Sequence, residues 1–173
     1  MNNNDNYVID WDKYFMSLAK LSAMRSKDPS TKVGACIVNT KNYIVSLGYN
    51  GMPTSFNNTK INNDTQFPWD RPSNKDDIIN SKYTYVVHAE QNAIINANIT
   101  SSHIEPGSTL YVTHSPCAMC AKLVVQSKIK KVVYAEAYRS EADEFKASQL
   151  ILTTFGVEIV KMPNFEINFK ELE

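Results

Sequence analysis

Apolar residues Trp11, Tyr14, Phe15, Leu18, Leu21 and Met24 recur at helical spacing, which predicts an amphipathic helix over 10–26 with that stripe packed on the core. The period then changes. Apolar runs at 33–38 and 43–47, separated by Asn39-Thr40-Lys41-Asn42, predict an antiparallel hairpin. Residues 83–87 read as extended, and 89–99, rich in Ala, Ile and Asn with apolar Ala93, Ile94 and Ala97, read as a buried helix. From there the pattern alternates: strand 109–113, helix 116–127, strand 131–135, helix 141–155, strand 157–160. Such alternation implies crossover connections and a sheet covered by helices. Two stretches fall outside this rhythm. Residues 1–10 are polar and asparagine-rich, and are expected to be loosely ordered because they bury too little to offset ordering entropy. Residues 54–82, polar and carrying Pro68-Trp69 and Arg71-Pro72, are too long for an ordinary connection and read as an inserted functional or interface loop.

Composition narrows the class. A chain of 173 residues with 43% hydrophobic content suits one domain spanning 1–173 with a sizeable core. Its 18 basic and 18 acidic residues cancel, so no general electrostatic footprint for a polyanion is present, and a small ligand fits better than tRNA or DNA. No charged-then-apolar leader and no run of about 18 apolar residues occurs, so the expectation is a cytoplasmic protein that does not engage membranes.

The candidate chemistry lies in His88-Ala89-Glu90 and Pro116-Cys117-Ala118-Met119-Cys120. His88, Cys117 and Cys120 supply three zinc ligands and Glu90 an unligated carboxylate; three protein ligands leave a tetrahedral position for water, whereas a structural zinc normally has four. Ser115 and Pro116 read as a capping hydroxyl and first helical residue. Cys117 and Cys120 then share one helix face, and the positive end of the helix dipole favours their thiolates. A disulfide is the competing reading, but Cys-x-x-Cys outside oxidising compartments is usually metal-binding or redox-active. Cys36, in the apolar run 33–38, reads as a buried structural thiol. His88 and Glu90, two apart, converge only near a helix tip, and the junction of 83–87 with 89–99 provides one. With Zn²⁺ held by a neutral imidazole and two thiolates, Glu90 is suited to take a proton from water, pass it to a ring nitrogen and protonate a departing amine.

The His-x-Glu and Pro-Cys-x-x-Cys pairing is that of zinc nucleobase deaminases. The resemblance extends over most of the chain through Arg25-Ser26-Lys27-Asp28-Pro29-Ser30-Thr31-Lys32-Val33-Gly34-Ala35-Cys36-Ile37-Val38, Gly48-Tyr49-Asn50-Gly51-Met52-Pro53, His88-Ala89-Glu90-Gln91-Asn92-Ala93-Ile94 and Ser115-Pro116-Cys117-Ala118-Met119-Cys120-Ala121-Lys122. The last two indicate the cytidine deaminase superfamily; the first two resemble its deoxycytidylate (dCMP) deaminase family. That resemblance implies a three-layer α/β/α fold with a mixed five-stranded sheet and hydrolysis of dCMP to dUMP and ammonia, supplying dUMP for thymidylate synthesis. It also implies regulation by dCTP with Mg²⁺ as activator and dTTP as inhibitor, and a homohexamer.

By the same resemblance, Asn50 lies beside the zinc and contacts the nucleoside; Ser115, Tyr138 and Arg139 are further candidate substrate contacts, Tyr138 and Arg139 by their position in the sequence. Arg25, Lys27, Gly48, Tyr49, Asn50 and Gly51 are the candidate effector residues. Arg25, Lys27 and Arg139 are also the cations available to a substrate phosphate, with Tyr138 a wall for base or sugar. Each has a plainer reading: Asn50-Gly51 as a turn, the cations as solvated side chains. Some relatives carry a second zinc in the insertion; 54–82 contains no Cys or His, so none is expected here. The rival readings are a tRNA adenosine deaminase, a free cytidine deaminase, and a zinc-stabilised binding module without chemistry, for which Glu90 would have no use.

Overall fold

The structure, a computed structural model, describes residues 8–54, 67–71, 74, 76–137 and 142–170. Tyr138 and Arg139, residues 1–7 and 55–66 of the insertion therefore lie outside the described residues.

Helix α1, Trp11–Ala23, begins where Asp10 accepts the Lys13 N–H at 2.7 Å on its side chain. Strands β1 (Gly34–Val38) and β2 (Ile44–Tyr49) form the expected antiparallel hairpin, in register Cys36 to Leu47. Its turn is set by Asn39, whose Oδ1 accepts from Lys41 at 3.0 Å and Tyr43 at 2.9 Å, and by Asn42 at φ 65°. Next come α2 (Lys82–Tyr85), α3 (Ala89–Ile99), β3 (Thr109–His114), α4 (Ala118–Gln126), β4 (Lys131–Glu136), α5 (Asp143–Thr154) and β5 (Glu158–Lys161). The sheet order is β2-β1-β3-β4-β5; β1 pairs antiparallel with β2 and β3, while β3-β4 and β4-β5 are parallel, giving the mixed five-stranded sheet of the α/β cytidine deaminase-like fold.

Period-two alternation assigns the two faces. Ala35, Ile37, Leu110, Val112, Val132 and Tyr134 pack with Ala89, Ala93, Ala121, Val124 and Leu152 of α3, α4 and α5. Cys36, Val38, Tyr111, Val133 and Ala135 pack with Phe15, Met16 and Ala19 of α1. Cys36 is fully buried and unpaired, and burial pushes its thiol up to about 12, as expected of a structural cysteine. No helix among the described residues is long and apolar enough to cross a membrane.

Three local expectations are corrected. The face of α1 on the sheet is Phe15, Met16, Ala19 and Ala23, whereas Trp11 (57%), Tyr14 (37%), Leu21 (36%) and Met24 (46%) are exposed. The reason is close approach: a Cβ on Gly34 would sit 1.9 Å from the Ala19 carbonyl oxygen, so alanines meet β1 at the tightest point, Phe15 and Met16 fill the remaining space on the sheet, and Trp11, Tyr14, Leu21 and Met24 are left at the rim. Residues 83–87 are not extended throughout. Lys82–Tyr85 makes one helical turn capped by Ser81, and only Val87 pairs, bridging Gly51. Finally, α4 starts two residues later than predicted, with Cys117 rather than Ser115 at its N-cap.

The asparagines of α3 also acquire a reason. Asn92 and Asn96, one turn apart, donate to the Tyr49 and Leu47 carbonyls at 2.8 Å each, and Ser46 Oγ donates to the Ala93 carbonyl at 2.7 Å. These bonds cover the free edge of β2 and fix α3 against it.

Candidate active site

His88 and Cys117 occupy equivalent places, each the extended N-cap of a helix, at ψ 158° before α3 and 172° before α4. Gln91 Oε1 accepts the His88 N–H at 2.9 Å, half of a capping box that fixes the entry to α3. On the α4 side, Pro116 is fully buried and its carbonyl accepts from Ser148 Oγ of α5 at 2.7 Å, while the Ser115 N–H donates to the Glu136 carbonyl at 2.8 Å. Both caps are thus held by their neighbours, and Cys120 follows in the first turn of α4.

The convergence has metal-site dimensions. His88 Nδ1 lies 3.5 Å from Cys117 Sγ and 3.4 Å from Cys120 Sγ, and the three donor atoms lie within 4.8 Å of one another. A tetrahedral zinc with Zn–N near 2.0 Å and Zn–S near 2.3 Å would space nitrogen and sulfur by about 3.5 Å. The donors fit zinc without rearrangement. Among the described residues the cluster comprises these three side chains, with Glu90 outside it.

Protonation in the cluster is coupled. A hydrogen bond from Cys120, reinforced by His88, brings the Cys117 thiol down to about 4, while the same bond and burial push Cys120 up. Metal binding takes thiolates, so a dication would displace any thiol proton from the cluster. His88 is raised, chiefly by its bond to Cys117 against burial. The Glu90 carboxyl, 4% exposed, is raised by burial, with His88 opposing. A carboxyl lifted towards neutrality is suited to taking and returning a proton.

His88, Glu90 and Cys117 line one cavity of about 160 Å³, whose wall also includes Asn50, His114, Ser115 and Glu144. Burial holds the His114 imidazole below its usual value, partly offset by Glu136. A second wall comes from far along the chain. Lys82 Nζ donates to both Asp28 carboxylate oxygens at 2.7 Å, with both side chains almost fully buried. Asp28 Oδ1 also accepts from the Ser30 and Thr31 N–H groups at 2.8 and 3.1 Å. Burial alone would raise this carboxyl, but Lys82 and the two amides outweigh it and hold it below the usual carboxylate value. Asn50 completes the network: Nδ2 donates to Asp28 Oδ2 at 3.3 Å and to the Thr31 carbonyl at 2.9 Å, and Oδ1 accepts the Val33 N–H at 2.8 Å.

The sequence-predicted residues divide between two cavities. Asn50 and Ser115 join the metal cluster's cavity, whereas Arg25, Lys27, Tyr49 and Gly51 line a second groove of about 710 Å³ that shares Asn50 and is flanked by Trp69. Arg25 and Lys27 are thus not brought to the metal cavity. Gly48 packs closely on α3, where a Cβ would sit 2.3 Å from the Ala89 carbonyl oxygen. Sequence reasoning passed over Asp28, Arg71, Lys82, His114 and Glu144 as wall residues. Asp28 stood within a quoted motif, but a partner 54 residues away carries no local signal.

The mixed sheet and the imidazole-dithiolate cluster at two helix caps define a zinc-dependent deaminase of the cytidine deaminase type. The family model described as the cytidine and deoxycytidylate deaminase zinc-binding region matches residues 9–136, and the chain belongs to that family. Among curated proteins it is 44% identical to the deoxycytidylate deaminase of Pongo abelii and 43% identical to that of Homo sapiens, in each case over 91% of this chain and 82% of the relative. Among solved structures it is similar to the dCMP deaminase of the cyanophage S-TIM5 in complex with dCMP and dUMP, at TM-score 0.65 and 30% identity, covering 94% of this chain and 99% of that one.

Proposed function

We propose that the protein hydrolyses dCMP to dUMP and ammonia, with zinc held by His88, Cys117 and Cys120 and with Glu90 as the proton carrier. The observation that carries this is the placement of the buried Glu90 carboxyl in the same cavity as His88 and Cys117, outside the ligand set. Bound zinc supplies Lewis acidity that acidifies water near neutral pH. Glu90 would take one proton from the attacking water and deliver it to the pyrimidine ring nitrogen as the C–O bond forms, then take the second proton from the new hydroxyl and pass it to the amino group, which leaves as ammonia as the C–N bond breaks. Asn50, fixed by Asp28, Thr31 and Val33, and Ser115, which lines the same cavity, are the proposed contacts to the nucleoside. Tyr138 and Arg139 are proposed as further substrate contacts from their position in the sequence. The nucleotide specificity is supported by the relatives named deoxycytidylate deaminase and by the similar phage enzyme crystallised with dCMP and dUMP.

Regulation belongs to the same proposal. The groove lined by Arg25, Lys27, Tyr49 and Gly51 offers two cations and a polar rim to a triphosphate with Mg²⁺, and shares Asn50 with the metal cavity. We assign dCTP as activator and dTTP as inhibitor there, in a homohexamer. Ammonia release compared for dCMP, CMP, deoxycytidine, dCTP and an adenosine anticodon stem-loop tests the reaction. dCMP is expected to be preferred, and faster release from the stem-loop or from free deoxycytidine would replace the reading. Titration with both triphosphates tests the regulation, and flat responses would remove it.

A further inference from the structure

The proposed substrate carries a 5′-phosphate, and the cavity's charges point to the group that receives it. Among the described residues, Arg71 and Lys82 are the lysine and arginine side chains lining the metal cavity. They differ in availability. Lys82 is 3% exposed and both Asp28 carboxylate oxygens lie 2.7 Å from its Nζ, so its charge is matched inside the wall. Arg71 is exposed and donates through Nη2 to Thr31 Oγ1 at 3.2 Å. A guanidinium has five N–H donors in a planar fork that suits phosphate, and this contact engages one of them. Its carbon lies 5.8 Å from the Tyr83 ring centre, in range of a cation-π contact that limits the plane's freedom.

The acids of the cavity are arranged in the opposite sense. Glu90 and Glu144 line the cavity together with His88 and Cys117, and Asp28 is neutralised by Lys82. The cavity thus holds the buried Glu90 carboxyl beside the metal donors and carries an exposed guanidinium, Arg71, in its wall, in contact with the half-buried Thr31. That pairing matches a pyrimidine nucleotide, whose amino-bearing ring goes to the metal and whose phosphate is its most anionic group. Thr31 is in turn fixed through its N–H to Asp28 and its carbonyl to Asn50, so the Arg71 contact stands on the same rigid network.

We propose that Arg71, positioned by Thr31 and Tyr83, receives the 5′-phosphate of the substrate and thereby sets the preference for nucleotide over nucleoside. Resting on the dCMP reading above, this assigns to the insertion a binding role at the metal cavity, rather than to Arg25 or Lys27.

The test compares zinc-loaded wild-type, Arg71→Ala and Arg71→Lys proteins. Turnover of dCMP and deoxycytidine is measured for each, with binding of dUMP and deoxyuridine by calorimetry. Arg71→Ala is expected to lower the ratio of kcat/KM for dCMP over deoxycytidine by about tenfold to a hundredfold, mainly through KM, because a charge-assisted hydrogen bond is lost. dUMP binding should weaken in parallel while deoxyuridine binding holds. Arg71→Lys, which keeps charge without the fork, should fall between. An unchanged ratio, or equal losses on both substrates, would overturn the assignment. Wild-type protein that releases no ammonia from dCMP would instead sink the dCMP reading, and the dUMP-to-deoxyuridine binding ratio would still decide for or against Arg71.

Discussion

The metal cluster and the Asp28-Lys82-Asn50 wall face the same cavity but are built in opposite ways. In the cluster, each donor is placed by its own short stretch of chain: His88 and Cys117 by helix caps, Cys120 by the turn that follows. In the wall, a buried ion pair joins residues 54 apart, and the amide of Asn50 fastens it to the start of β1. The first arrangement is local geometry presenting chemistry; the second is long-range packing that shapes where the substrate lies. Damage to the cluster should therefore abolish metal and turnover with modest effect on folding elsewhere. Damage to the wall should appear first as lost stability.

Removing a ligand should have the largest effect. His88→Ala or Cys117→Ala is expected to lose zinc, read by elemental analysis of purified protein, and with it essentially all activity. Stoichiometric zinc retained in either variant would contradict the ligand assignment. Glu90→Gln separates metal from proton transfer within the same cluster: it should keep zinc while turnover falls roughly a hundredfold to ten-thousandfold. Near-normal turnover would remove the proton-carrier role.

These residues were legible because their spacing carries their function. His-x-Glu at a strand-to-helix junction and Pro-Cys-x-x-Cys ahead of an apolar segment each describe a cap, and two caps can meet on one ion. Alternating apolar runs likewise disclosed the sheet and its covering helices. What periodicity could not disclose was depth. Trp11 and Leu21 have the right spacing for a core stripe, yet Gly34 draws α1 so close that only its alanines, Phe15 and Met16 fit beneath. Nor could the polar composition of the insertion show that Lys82 is one of the most buried cations in the fold, since burial of a charge depends on a partner elsewhere.

Lys82→Met tests the wall. It leaves the Asp28 carboxylate buried against two amides and Asn50 with no cation, a change expected to cost about 3–5 kcal/mol of stability in denaturant titrations at neutral pH. The pH dependence gives an independent signature. In the wild-type fold Asp28 is held below its ordinary value, so its ionisation stabilises the protein above about pH 4, and that contribution is lost as pH falls through the folded value. Without Lys82 the opposing effect of burial gains weight, the carboxyl rises, and the midpoint of acid unfolding should move to higher pH. Adding Asp28→Asn to Lys82→Met removes the second charge and should recover part of the loss. An acid midpoint identical to wild type in Lys82→Met would show that the pair does not hold the wall.

Gly48 gives the smallest but most discriminating effect, because it sits where wall and cluster meet. Family resemblance placed it among effector residues, yet its α-carbon faces α3 so closely that a methyl group would lie 2.3 Å from the Ala89 carbonyl oxygen and 2.4 Å from the Ala93 nitrogen. Both are backbone atoms of the helix whose cap is His88, and neither can rotate away. Gly48→Ala must therefore push α3 from β2, strain the Asn92 and Asn96 bonds to that strand, and displace His88 and Glu90 relative to the cysteines of α4. Overpacking of this kind typically costs about 1–3 kcal/mol, measurable as a lowered melting temperature, and zinc affinity should weaken with it. A residue acting only through a triphosphate would behave otherwise: melting and zinc content would stay at wild-type values while the response to dCTP and dTTP disappeared. That second pattern would assign Gly48 to the effector response and show that β2 and α3 have room to separate.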